Sequence, residues 1–429
     1  MDTVVWGLLG RESLRSVRRV RTLGLGAAVR NFNELAVPGL GGVWFGRQVF
    51  LATLGVAVNE LARQAGSRTS NIQVANALEA FGCWHALRRS GRARDVRVKG
   101  RETLPHALDD TSFAWISRPS FYITQPMRMQ TVQAVLELGL VKSTGQRFNS
   151  YSMTATGHAF LDAAFRELAR PHGAAHLTAL QNWVCGSDRN VDTDTICELL
   201  SPAEPLPRLA REQLRHLLVS GVTEDATRRR NLLEWMEELR HGRAKPEEQP
   251  RQLSATHWHE VQAGRLFFRL QSAALAVLDI VEALLAQLTP HEVAPSGLTQ
   301  APVRVALADL RNAADAYLEH GYVDKHGTGV GTFARVCTDT SDARLIEKLV
   351  GLDTRVLRMR GGCVVPGGAF SCDARLAATE AQEEDGQLEV AAAVPLGVSY
   401  RISNLYLLNL DLNGALAAEL AREGNERNG

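Results

Sequence analysis

Apolar positions repeat at helical spacing through much of the N-terminal third. From about Val43 to Gln64 they are Phe45, Val49, Leu51, Leu54, Val58 and Leu61, after a loop marked by Pro38 and the glycine-rich run at 39–42. Gly66-Ser67 breaks that helix. Ser70 or Asn71 caps the next one, which carries Ile72, Val74, Leu78, Phe81 and Trp84 and stops at Gly91. A further helix is expected over 105–120. Thr124 then caps a short helix with Pro126 in its first turn, where a missing N–H costs nothing. Met129, Val132 and Leu136 fall at i, i+3 and i+7 and form one apolar stripe. Gln130 and Thr131 are expected to point away from it, flanked by Arg128. Gly139 ends the helix. Leu140 to Ser143 reads as a strand, Thr144-Gly145-Gln146 as a turn and Arg147 to Met153 as the return strand. Thr154 caps a following helix that holds Phe160, Leu161, Phe165 and Leu168.

After Arg170-Pro171 the pattern becomes a succession of helices with short polar loops, up to a Pro- and charge-rich linker at 244–252. The longest helix is expected from about Ser254 to Leu288. Ala274, Leu278, Val281, Leu285 and Leu288 form a heptad-like seam, and Val277, Ile280 and Leu284 widen the apolar surface. Such a helix lies in a core or at a subunit interface, and a core is the expectation. Pro290 to Pro302 is a second linker, followed by another helix. Around residue 350 the runs TRVLRMRGGCVVPGGAF and VAAAVPLGVSYRISNLYLLNLDL predict a small sheet or hairpins, before a short helix from about Gly414. The expected fold is mainly α and multidomain. Its parts are a basic N-terminal region at 1–170, an acidic helical domain at 171–300 and a small α+β domain at 301–429.

Charge sharpens this division. The 429 residues carry a net +1, but 1–170 hold 22 Lys and Arg against 12 Asp and Glu, while 171–429 hold 26 against 35. A basic end on an acidic body implies a polyanion-facing part and a body that binds something else. Arg15, Arg18, Arg19 and Arg21 crowd an N-terminal arm with Leu14, Val17 and Val20 at helical period. The densest run holds Arg88, Arg89, Arg92, Arg94, Arg97, Lys99 and Arg101. Within it Asp95 to Gly100 alternates like a strand and is expected to join the sheet near Lys142 and Arg147. No aromatics are interleaved, so stacking on single-stranded bases is not suggested. The six cysteines form no CxxC pair, which points to reduced thiols in a cytoplasm. The start has no basic, apolar leader, and no uncharged run reaches the ~20 residues of a membrane span.

The stretch from Ser120 to Phe165, about a tenth of the chain, resembles the winged-helix DNA-binding domain of MarR-type and PadR-type regulators. The resemblance rests on LELGLVKS, a polar turn, an Arg-bearing second strand and TATGHAFLDA at the usual LTxxG helix start. It implies that the helix before the hairpin enters the major groove and that the hairpin, as a wing, touches backbone or minor groove. By position Arg128, Gln130 and Thr131 would then face bases or phosphates, with Lys142 and Arg147 on the wing and Arg97 and Lys99 beside it. The expected function is non-enzymatic binding of duplex DNA, as a regulator or as the DNA-engaging subunit of a larger complex, with defence or mobile-element machinery among the settings. The body would bind a protein partner or a second copy. Two alternatives stand beside this: an assembly subunit whose winged helix holds protein, and a nucleic-acid-processing enzyme of another family.

No catalytic, metal or cofactor constellation emerges. The run HGTGVGTF at 326–333 lacks the Lys-Ser/Thr of a phosphate loop. His257 and His259 stand at i and i+2, about 200° apart on a helix, and do not chelate one metal well. The stretch 191–198 lacks the glycine and final glutamate of a calcium loop, and Cys363 has no base adjacent in sequence.

Overall fold

The computed structural model describes residues 21–119, 121–145, 147–168, 173–188, 191, 194–370, 394 and 397–426. The arginines at 15, 18 and 19, the turn residue Gln146, the Leu168 side chain and the acidic stretch 378–387 lie outside the described residues. Sixteen α-helices and two short antiparallel hairpins make up the described chain, so it is mainly helical. None of its helices is long and apolar enough to cross a membrane. The chain forms two compact units. One comprises the described parts of Phe32–Arg265 and Gly386–Gly429, the other those of Met1–Asn31 and Leu266–Asp385. The division falls inside α1 (Gly26–Ala36) and α11 (Ala255–Leu285) and differs from the expected boundaries at 170 and 300.

The larger unit is built on α2 (Gly46–Gln64) and α3 (Asn71–Arg89). Ser70 caps α3, its side chain accepting the Gln73 N–H. Gly55 lets the two helices touch, since a Cβ there would lie 2.5 Å from the Ala75 Cβ. Next come α4 (Phe113–Ile116), α5 (Arg128–Glu137), β1 (Val141–Ser143), β2 (Tyr151–Met153), α6 (Ala155–Leu168) and α7 (Gly173–Cys185). They are followed by α8 (Asp194–Leu200), α9 (Arg208–Val219) and α10 (Glu224–Arg240). The helix expected over 105–120 shrinks to the four residues of α4. Pro105 and an Asp110 turn, whose carboxylate accepts the Ser112 N–H at 2.8 Å, keep the rest irregular. α2 packs on α3, α5, α6 and α7, α3 also packs on α8, and α6 packs on α9. One hydrophobic core therefore runs without a break from Ala36 to Val261 and takes in Val394 to Leu416. Among the described residues of this unit, those before 170 share this core with the rest, because the faces of α2, α3 and α6 are closed by helices from after it.

The second stretch expected to form strands holds a helix instead. Tyr400–Leu412, here α15, packs on α9, α10 and α2, and α16 (Leu416–Glu426) follows it. Ser399 starts α15 by accepting the Arg401 N–H at 3.2 Å. Its leucines and tyrosines recur at three- and four-residue spacing and its only β-branched residue is Ile402, so helical period prevails over strand character.

The smaller unit holds α12 (Ala301–Glu319), α13 (Val330–Cys337), α14 (Asp342–Asp353) and the hairpin β3 (Leu357–Arg360) with β4 (Cys363–Pro366). The hairpin pairs in the expected place, with Leu357 opposite Pro366 and Arg360 opposite Cys363. The C-terminal part of α11 forms its core: Ala274, Val277, Leu278, Val281 and Leu285 are fully buried, whereas Leu288 lies beyond the helix and is half-exposed. Arg21 ties this unit together, its guanidinium bridging Glu282 at 2.7 Å, Asp353 at 3.0 Å and Asp279. Asp353 in turn accepts the Val356 and Leu357 N–H groups and so closes the turn into β3.

Candidate nucleic-acid interface

Helix, hairpin and helix follow one another as α5, β1, β2 and α6. Val141 lies opposite Met153, Lys142 opposite Ser152 and Ser143 opposite Tyr151. The return strand is shorter than expected, because Phe148–Ser150 forms a single 3₁₀ turn before it. Thr154 starts α6 as the sequence implies, accepting the Gly157 N–H at 3.0 Å. The start of α5 is held differently. Thr124 makes no cap; Glu79 of α3 does, accepting the Met127 N–H at 2.7 Å and the Arg128 N–H at 3.0 Å. A carboxylate suits that position because the first N–H groups of a helix are unpaired and carry the positive end of its dipole. The Tyr122 hydroxyl donates to the same carboxylate at 2.9 Å and lies 3.3 Å from the Cys83 sulfur. Burial raises the Glu79 pKa against the opposing pull of these bonds and of Lys99. Burial likewise pushes the Cys83 thiol up to about 12 and the Tyr122 hydroxyl well above its usual value, so both are neutral. Glu79 was not singled out from the sequence. Its one signal there is a lone acid in the apolar run of α3.

The rotation of α5 reverses the expected faces. Thr131 is fully buried and donates to the Arg128 carbonyl at 2.8 Å, beside buried Ala134 and Val135. Met129 is 52% and Leu136 39% exposed. The glycine loop explains the turn of the helix. The Gly42 N–H donates to the Gln130 carbonyl at 2.9 Å, and a Cβ on Gly41 would lie 2.7 Å from that oxygen. The Gln130 side-chain oxygen accepts from Gln48 at 2.7 Å. Arg401 braces the same face, reaching Glu34 at 2.6 Å and Gln133 at 3.2 Å. Thr131 thus faces the core rather than outwards, and Gln130 is held by the loop and by α2.

The expected cations divide into two groups. Arg128 is half-buried, bonds Asn76 through Nε at 2.7 Å and lies over the Phe148 ring. Asp95 to Gly100 forms no strand, and among the described residues the sheet has two, β1 and β2. Arg97 instead folds back on Asp95, with bonds of 3.1 and 2.7 Å. Lys99 is half-buried and faces Glu79, and burial lowers its pKa. Lys142 and Arg147 remain exposed on the hairpin and have no acidic partner among the described residues. The alternating pattern of 95–100 hid the Asp95–Arg97 pair, which closes a local turn at the expense of a strand.

Among the described residues no group of three or more His, Cys, Asp or Glu side chains is placed to hold a metal ion. His257 packs its Nε2 against the Leu35 and Ala36 carbonyls, and burial lowers its pKa. The carboxylate of Asp324 accepts from Thr328 and Gly329 within the glycine turn at 326–329. No family model, curated protein or solved structure matches this chain.

Proposed function

We propose that the protein is a non-enzymatic binder of duplex DNA that holds the phosphate backbone through its hairpin and does not read bases with α5. The observation that carries this reading is the pair of exposed cations on the hairpin, Lys142 and Arg147, without acidic partners among the described residues. The buried Thr131 and the tethered Gln130 argue against base reading. Contacts of this kind position a protein on DNA and carry no sequence information. Each neutralised phosphate contributes about 0.9 to the slope of log affinity against log salt. The full chain should therefore bind unrelated duplexes equally at ~50 mM salt, where phosphate contacts are strong. Its K142A/R147A variant should show a slope lower by about 2. Equal slopes for the two proteins would refute the reading. The exposed Met129 and Leu136 favour a second reading, in which α5 docks a protein partner as part of an assembly. In that case M129D/L136D abolishes an assembly that K142A/R147A leaves intact.

A further inference from the structure

The hairpin is not a free-standing arm. Its return strand is fastened along its outer side to the connection between α2 and α3. The Met153 N–H donates to Glu60 Oε1 at 2.7 Å, which ties the end of β2 to the last turns of α2. Asn71, at the start of α3, donates from Nδ2 to the Phe148 carbonyl at 2.9 Å and to the Tyr151 carbonyl at 2.8 Å. The Ile72 N–H donates to Asn149 Oδ1 at 2.9 Å. Four bonds from two helices thus set the α2–α3 connection against the strand that pairs with β1.

Two arginines flank or occupy that connection, Arg63 in the last turn of α2 and Arg68 in the loop itself. Arg63 lies three residues after Glu60, one turn along the same side of α2. Arg68 lies three residues before Asn71. Both are exposed, and neither has an acidic partner among the described residues. Strands in a pair lie about 5 Å apart, so only β2 separates this edge from Lys142 on β1. Glu60 fastens this edge rather than pairing with a cation: one of its oxygens is occupied by the Met153 N–H, and it forms no ion pair among the described residues.

We infer that Arg63 and Arg68 join Lys142 and Arg147 in one phosphate-binding surface, which grips the backbone of duplex DNA from the two sides of β2. This inference rests on the function proposed above and enlarges its footprint from two phosphate contacts to four. Four contacts correspond to a salt slope of about 3.6, two to about 1.8.

The test is a salt titration of the full-length protein on a fluorescent duplex, for wild type, R63A/R68A, K142A/R147A, the fourfold variant and R63K/R68K. The expected result is a drop of about 2 in slope for each double alanine variant and of about 3.6 for the fourfold one, with R63K/R68K close to wild type. An R63A/R68A slope equal to wild type, beside a lowered K142A/R147A slope, would overturn the inference and leave the proposed function standing. Wild-type slopes for both double variants would overturn the two together. An R63A/R68A slope that falls, with R63K/R68K falling equally, would also overturn the inference, because a phosphate contact tolerates lysine and a structural role of the guanidinium does not.

Discussion

Glu79 and Arg128 are 49 residues apart, yet the carboxylate of the first accepts the backbone N–H of the second at 3.0 Å. This contact, with the neighbouring Met127 bond, lets α3 set where α5 begins. The guanidinium of Arg128 then reaches back to Asn76 of α3 and forward over Phe148 of the hairpin. Cap, helix and hairpin are thereby held as one piece.

Replacing that carboxylate should loosen the piece. Glu79→Gln turns one accepting oxygen into a donor facing a donor, at a cost of about 1–3 kcal/mol for the unpaired buried group. The relief of burying a neutral group offsets part of this. We expect a net loss of about 1–2 kcal/mol in urea unfolding and faster hydrogen exchange at the Met127 and Arg128 amides. Unchanged protection of both amides would show that the cap does not hold α5.

The glycine loop makes a sharper demand. Gly41 has φ +56° and no room for a Cβ against the Gln130 carbonyl, whereas Gly66 has φ +89° with open space around it. Gly66→Ala should cost about 1 kcal/mol through the backbone alone. Gly41→Ala adds a clash with backbone, which cannot swing away, and should cost about 2–4 kcal/mol. Thermal melts of the two variants check the order, and equal losses would mean that α5 is free to shift.

Thr131 offers a negative control for DNA contact. Its side chain is fully buried and its hydroxyl bonds within its own helix. Thr131→Val keeps the shape, so duplex affinity, salt slope and sequence preference should all match wild type. A changed sequence preference would return α5 to the major groove.

In the smaller unit Asp339 accepts the Ser341 N–H at 2.9 Å and pairs with Lys348 at 2.9 Å and Arg344 at 3.2 Å. These contacts lower its pKa from 3.8 to about 2, with the backbone bond from Ser341 first among the causes. A depressed carboxylate stabilises the fold above its unfolded pKa, and that contribution fades as pH falls through the folded value. The loss therefore occupies the window from about pH 4 to about pH 2. Melts of Asp339→Asn and wild type should converge across this window on acidification. A constant gap between them would show that Asp339 does not titrate with folding.

Much of the local structure was legible in the residues alone. Ser70 and Thr154 cap helices where expected, and the longest helix falls within three residues of its expected end. The α5–hairpin–α6 order and the second hairpin near 360 also follow from turn residues and period. These features depend on groups a few residues apart, so nearby side chains suffice to specify them. The face that α5 buries did not follow. Met129, Val132 and Leu136 make a valid apolar stripe, but a helix with two usable faces takes the rotation its neighbours allow. Here the Gly41–Gly42 backbone and the Glu79 cap select the face with Thr131, Ala134 and Val135.

Charge shows the same limit on a larger scale. Composition announced a basic N-terminal region, yet Arg97 is paired with Asp95, Arg128 with Asn76, and Lys99 faces the buried Glu79. Net charge counts groups wherever they are, while a partner meets only those left exposed and unpaired. The sequence by itself determined most of the helices and the place of both hairpins, but not the helix at Tyr400–Leu412, the shortness of Phe113–Ile116 or the missing strand over 95–100. The tertiary structure alone decided which cations stay exposed and set the α2–α3 connection against the hairpin, because bonds such as Glu60 to Met153 join residues 93 apart that no local pattern relates.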